Sequence, residues 1–107
     1  MLTSVKDLFV EIPKQFDSAA WGAEDAVLQF NVSGDGGGNW IANIKGGNLT
    51  VTKGIDPAPS MTMTCASQDI LAIVNGELSA VSAFMQGRVK IDGNMALAMK
   101  LQNLLKG

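Results

Sequence analysis

A chain of 107 residues with 47% hydrophobic content can bury one core, so a single domain spanning residues 1–107 is expected. Charged residues make up 17% and the net charge is −2, which excludes both the basic bias of a nucleic-acid binder and the composition of a disordered acidic tail. With no histidine and no tyrosine, a Ser-His-Asp triad, a Cys-His pair and the usual zinc sites are excluded, and neither a cofactor nor a bound metal is expected.

From Ser4, a suitable N-cap, Val5, Leu8, Phe9, Ile12 and Phe16 recur at the spacing of an amphipathic helix. Pro13 lacks the N–H that would bond the carbonyl of Phe9, so the helix is expected to kink or to end near Ile12 and restart. A loop with Asp17, Ser18 and Gly22 follows, and then the period changes to two. Leu28, Phe30 and Val32 alternate with Gln29, Asn31 and Ser33; Trp40, Ala42 and Ile44 alternate with Ile41, Asn43 and Lys45. The run Gly34-Asp35-Gly36-Gly37-Gly38 between them suits a hairpin turn; it lacks the Lys-Ser/Thr of a phosphate-binding loop and leads into a strand. Gly46-Gly47-Asn48 turns the chain again before Leu49 to Thr52, giving a three-stranded antiparallel meander.

Asp56-Pro57-Ala58-Pro59 cannot continue a ladder and reads as a connection. Met61, Met63 and Cys65 then alternate with threonines in a fourth strand. Ser67 is expected to cap a helix carrying Ile70, Leu71, Ile73 and Val74, closed by Gly76. Ser79 starts a short helix with Val81, Phe84 and Met85, Gly87 ends it, and Val89 to Asp92 reads as a fifth strand. Asn94 caps a final helix to about Leu105. The order of elements predicts an α+β domain with a five-stranded, mostly antiparallel sheet and helices on one face.

Cys65 stands alone on the apolar row of its strand and is expected to be a buried small hydrophobe. The lone cysteine and the lack of a secretory pattern in MLTSVKDLFVEI favour a cytoplasmic setting, and Leu105-Lys106-Gly107 is not a peroxisomal address. No apolar run approaches the ~20 residues that span a bilayer. Charge is uneven: residues 88–107 hold Arg88, Lys90, Lys100 and Lys106 against Asp92 alone, a net of +3 that reads first as a solvated face and second as a bias toward transient docking on an anionic membrane. The pairs Glu24-Asp25 and Asp7/Glu11 are expected to be solvated rather than catalytic.

The final helix has two apolar sides. With Leu97 at zero, Leu104, Leu97, Leu101, Leu105 and Ala98 fall between about −20° and 100°, while Gln102, Met95 and Met99 fall near ~140°, ~160° and ~200°. Such a helix must bury both sides or expose one. Methionine adapts to loose apolar surroundings, and Met61, Met63, Met85, Met95 and Met99 are five internal methionines in a small domain. They suit a cavity for ligands of varied shape, an awkward core, or a dimer contact, and the residues alone leave these open.

The segment from Ala83 to Gln102, AFMQGRVKIDGNMALAMKLQ, resembles the C-terminal signature of the sterol carrier protein 2 family. There a short helix, a Gly-bounded strand and a Gly-Asn/Asp-Met opening lead into the last helix. Val27-Leu28-Gln29-Phe30, the glycine-rich turn ending in Asn39-Trp40, and the passage from Met61 to Asn75 keep the same order and spacing. The resemblance implies an apolar tunnel between sheet and helices, closed in part by the last helix. It also implies carriage of sterols, fatty acids, acyl-CoA or similar lipids, without catalysis. On that reading Trp40, Met61, Met63, Phe84, Met85, Met95 and Met99 line the lipid space and Gln102 orients a polar head. A small-molecule lipid is then the partner. The alternative is an interaction module on the same fold that dimerises or docks an enzyme; a lipid-processing enzyme comes third.

Overall fold

The computed structural model describes residues 4–22, 24–97 and 99–100, and of Gln15, Ser18 and Ala20 the backbone alone. Ser4 opens helix α1 (Val5–Gln15), its hydroxyl accepting from the Asp7 N–H at 3.1 Å, and Val5, Leu8, Phe9 and Ile12 bury one stripe. Of the two outcomes expected at Pro13, an end near Ile12 does not occur, for the helix runs on to Gln15. Pro13 stands in the last turn, so its missing N–H removes one bond with little helix left to disrupt. The segment expected as a loop holds a single helical turn, α2 (Ser18–Trp21). Asp17 nucleates it, with Oδ1 accepting from the Ala19 N–H and the backbone carbonyl from the Trp21 N–H, both at 3.0 Å. Four residues are too short to show a period, which is why pattern alone missed it.

The strands are β1 (Ala26–Ser33), β2 (Gly38–Lys45), β3 (Asn48–Lys53), β4 (Met61–Ala66) and β5 (Val89–Gly93), in the order β3-β2-β1-β4-β5. Hairpin turns join β1, β2 and β3 antiparallel as expected. β4 lies beside β1 in the parallel sense and β5 is antiparallel to β4. Register aligns Lys53, Trp40, Phe30, Met63 and Ile91 in one row across all five strands. Directly opposite residues share a face, so this row belongs to the inner face, where Phe9 of α1 stacks on Trp40 (centroids 4.8 Å) and meets Phe30 edge-on (5.2 Å).

The other face is not the plain solvent row that Gln29, Asn31 and Ser33 suggested. The connection from β3 to β4 must pass β2 and β1, and it does so over this outer face. Gln29 is fully buried beneath it: Nε2 donates to the Gly54 carbonyl at 3.0 Å and Oε1 accepts from the Asp56 N–H at 2.8 Å. Ser60 completes the return, with its N–H on the Val27 carbonyl (2.9 Å) and its hydroxyl accepting from the Val27 N–H (3.2 Å).

Helix α3 (Ser67–Val74) follows β4 directly. Ser67 is not its cap, as expected from sequence, but its buried first residue; Ala66 occupies the N-cap position and supplies no side-chain bond. Strand pairing continues through Ala66, opposite Ser33, so the helix starts where the ladder ends and one residue before the start that a Ser67 cap would give. Helix α4 (Ala80–Met85) is capped by Ser79, whose hydroxyl accepts from the Ser82 N–H, and ends in a Schellman arrangement: Gly87, at φ +77°, donates to Phe84 and Arg88 to Ala83.

Candidate functional site

Gly93 ends β5 at φ +100°, and a Cβ there would lie 2.6 Å from the Ser60 carbonyl oxygen, so only glycine lets the chain leave the sheet at this point. Asn94 then caps the last helical segment, with Oδ1 accepting from the Ala96 N–H at 2.9 Å; the backbone is helical at 95–97 and 99–100. Leu97 is buried in the core. Lys100 ties the segment to the chain before β1, ion-paired to Glu24 at 2.8 Å with its ammonium 5.3 Å from the Trp21 ring centroid. On the opposite side Met95 and Met99 are 51% and 72% exposed. The segment therefore buries Leu97 and exposes Met95 and Met99.

Helix α4 repeats the pattern. Ala83 is buried, while Phe84 and Met85 are 45% and 80% exposed and Val81 lies beside them one turn earlier, half exposed. Large apolar side chains rarely gather in the open on two elements flanking one strand without a partner.

The residues expected to line a lipid space thus fall into two sets at different depths. Trp40, Met61 and Met63 lie on the inner sheet face within the core, and Phe84, Met85, Met95 and Met99 lie at the surface. Gln102, together with Leu101, Leu104 and Leu105 of the leucine stripe and the side chain of Ala98, lies outside the described residues. Sequence reasoning overlooked Val81 and Lys53. Lys53 faces Trp40 across the ladder and holds its ammonium 5.0 Å from that ring's centroid, a pairing legible only once the turn at Gly46-Gly47 fixes the register.

No nucleophile stands ready in the described chain. Cys65 is buried, and burial, reinforced by the Asp69 carboxylate, pushes its thiol up to about 12, where a reactive thiolate is not formed at neutral pH. The acidic pairs are engaged singly: Glu24 with Lys100, Asp25 accepting from the Gly46 N–H, Glu11 with Lys14. No cluster of metal-ligating side chains occurs among the described residues.

Comparison with known proteins adds to this geometry. The model of the SCP-2 sterol transfer family matches residues 13–106. Sterol carrier protein 2 of Oryctolagus cuniculus is 42% identical over 81 residues, 73% of this chain but 15% of that protein. A hydroxysteroid dehydrogenase-like protein 2 of Rattus norvegicus is 35% identical over 104 residues, 95% of this chain and 20% of the relative. The chain therefore spans about a fifth or less of the length of these curated relatives. Among solved structures, palmitated SCP2L2 of Aedes aegypti superposes with a TM-score of 0.82 at 28% identity, covering 98% of this chain and 96% of that one. A sec-alkylsulfatase of Pseudomonas sp. shares the fold at 23% identity, TM-score 0.78, over 92% of this chain and 16% of its own. On the family match and the identity to its relatives, this chain belongs to the SCP-2 sterol transfer family.

Proposed function

We propose that this domain binds an acyl lipid and transfers it, with no covalent step and no cofactor. The observation that carries the reading is the exposure of Phe84, Met85, Met95 and Met99 on the two elements flanking β5. A lipid lying against them would remove apolar surface from water at about 25 cal/mol per Å². Membership of a carrier family supports the reading, as does the likeness to a relative solved in its palmitated form. An apolar tunnel forms, in this account, when the ligand covers the methionine side of the last helix and joins it to the buried row of Met61, Met63 and Trp40.

The protein works in the cytoplasm, meets membranes transiently, and is not itself an enzyme; the lone buried thiol and the absence of histidine support the last point. Native mass spectrometry after incubation with palmitate tests the proposal. One equivalent of lipid retained per chain is expected. A ligand-free tight homodimer would return the alternative of an interaction module, and palmitate titrated to micellar concentration without saturable binding would overturn the carrier.

A further inference from the structure

The molecule contains the same small constellation twice, once complete and once lacking a part. At Trp21 a lysine ammonium lies 5.3 Å from the ring centroid, the indole N–H donates to the Glu24 carbonyl at 2.9 Å, and the lysine, Lys100, is paired with the Glu24 carboxylate. Every donor has an acceptor. At Trp40 a lysine again stands by the ring, Lys53 at 5.0 Å, but the indole Nε1 is buried with no hydrogen-bond partner and Lys53 forms no ion pair among the described residues.

A buried N–H without an acceptor has given up its bond to water for nothing, and the neighbouring cation raises the premium on negative charge. What Glu24 supplies at Trp21 is two oxygens, its backbone carbonyl for the indole and its carboxylate for the lysine, and Trp40 and Lys53 lack both. Gly38 lies beside Nε1: a Cβ added there would stand 3.5 Å from the indole nitrogen, and glycine leaves that space without a side chain. Trp40 also stands second in the row that continues through Phe30 and Met63 to Ile91, so this end of the apolar row is the one with a polar pair beside it.

We infer that the Trp40 indole N–H and the Lys53 ammonium form a carboxylate site that takes the head of an acyl ligand, selecting fatty acids over neutral lipids of the same chain length. This rests on the acyl-lipid reading above and adds the polarity and position of the head.

Palmitate and hexadecanol, which share a sixteen-carbon chain and differ in head charge, are titrated into the wild-type protein and Lys53→Gln. The indole N–H signals of both tryptophans are followed by NMR, with Trp40→Phe serving only to assign them. The expected result is that palmitate moves the Trp40 signal downfield and leaves Trp21 in place, while hexadecanol moves neither comparably. Lys53→Gln should weaken palmitate by about tenfold and leave hexadecanol unchanged, a charge-assisted contact being of that order. An unmoved Trp40 signal on palmitate binding, or equal affinities of Lys53→Gln and wild type for palmitate, would overturn the head site while leaving lipid binding intact. Failure of the wild type to bind either compound would overturn both.

Discussion

Gln29 stands in a row of β1 that alternation assigns to solvent, yet its amide is the peg under which the β3–β4 connection is fastened. Replacing Gln29 by leucine keeps the volume but leaves the Gly54 carbonyl and the Asp56 N–H without partners beneath the loop. Urea denaturation of Gln29→Leu should show a loss of about 2–6 kcal/mol, one orphaned-group penalty for each; a loss under about 0.5 kcal/mol would mean that water replaces the amide. Cys65 sets a second test at this scale. An unfolded thiol ionises near ~8.5, whereas burial lifts the folded one to about 12, so below the first value both states are protonated and stability is full. Above it the unfolded chain loses its proton while the folded chain keeps it, and stability falls as pH rises through this window. Wild type should therefore lose more stability than Cys65→Ala between neutral pH and pH 10, and alkylation of Cys65 should be slow until denaturant opens the fold. Equal alkaline slopes in the two proteins would show a thiol that is not protected.

Elements were legible in proportion to how far their pattern repeats. The amphipathic run of α1, the alternating strands and the glycine-marked ends of α4 and β5 follow from residue spacing, whereas α2 and the start of α3 depend on single hydrogen bonds and on where a ladder stops. The two-sided character of the last helix was visible from the angular positions of Leu97, Met95 and Met99. The tilt of the connection over Gln29 was not, because a two-residue period cannot tell water from a covering loop. The leucine side offers the sharpest separation of roles. Leu97 is buried in the core, so Leu97→Ala should cost about 2–5 kcal/mol of folding stability. Met99 is 72% exposed, so Met99→Gln should change stability by less than about 1 kcal/mol and weaken palmitate about tenfold, because an amide would then face the acyl chain. Denaturation and ligand titration on both variants decide it: a Met99→Gln protein with wild-type affinity would remove the methionine side from the lipid site. Leu101, on the same stripe as Leu97, lies outside the described residues and carries no separate test.

At the scale of the whole molecule, charge and topology have separate consequences. The chain carries a net of −2, while residues 88–107 alone sum to +3. Transfer of a fluorescent acyl lipid should be faster to anionic than to neutral vesicles at low salt, and the gap should narrow as the Debye length shortens to about 8 Å at physiological ionic strength. Equal rates at low salt would remove steering from the account. Topology acts on a different variable, the order of assembly. β1, β2 and β3 are neighbours in sequence, and so are the elements from β4 to β5, but among the described residues the one ladder joining these halves is that between β1 and β4, whose closing contact links Val27 to Ser60 across 33 residues. Closing that loop costs entropy that no hairpin repays, so the halves form early and their union is the slow step. The Gln29 clasp, by contrast, ties β1 to residues 54 and 56 just past β3 and so lies within the first of these halves. It should form with the meander, before that union, and its loss should slow folding as well as speed unfolding.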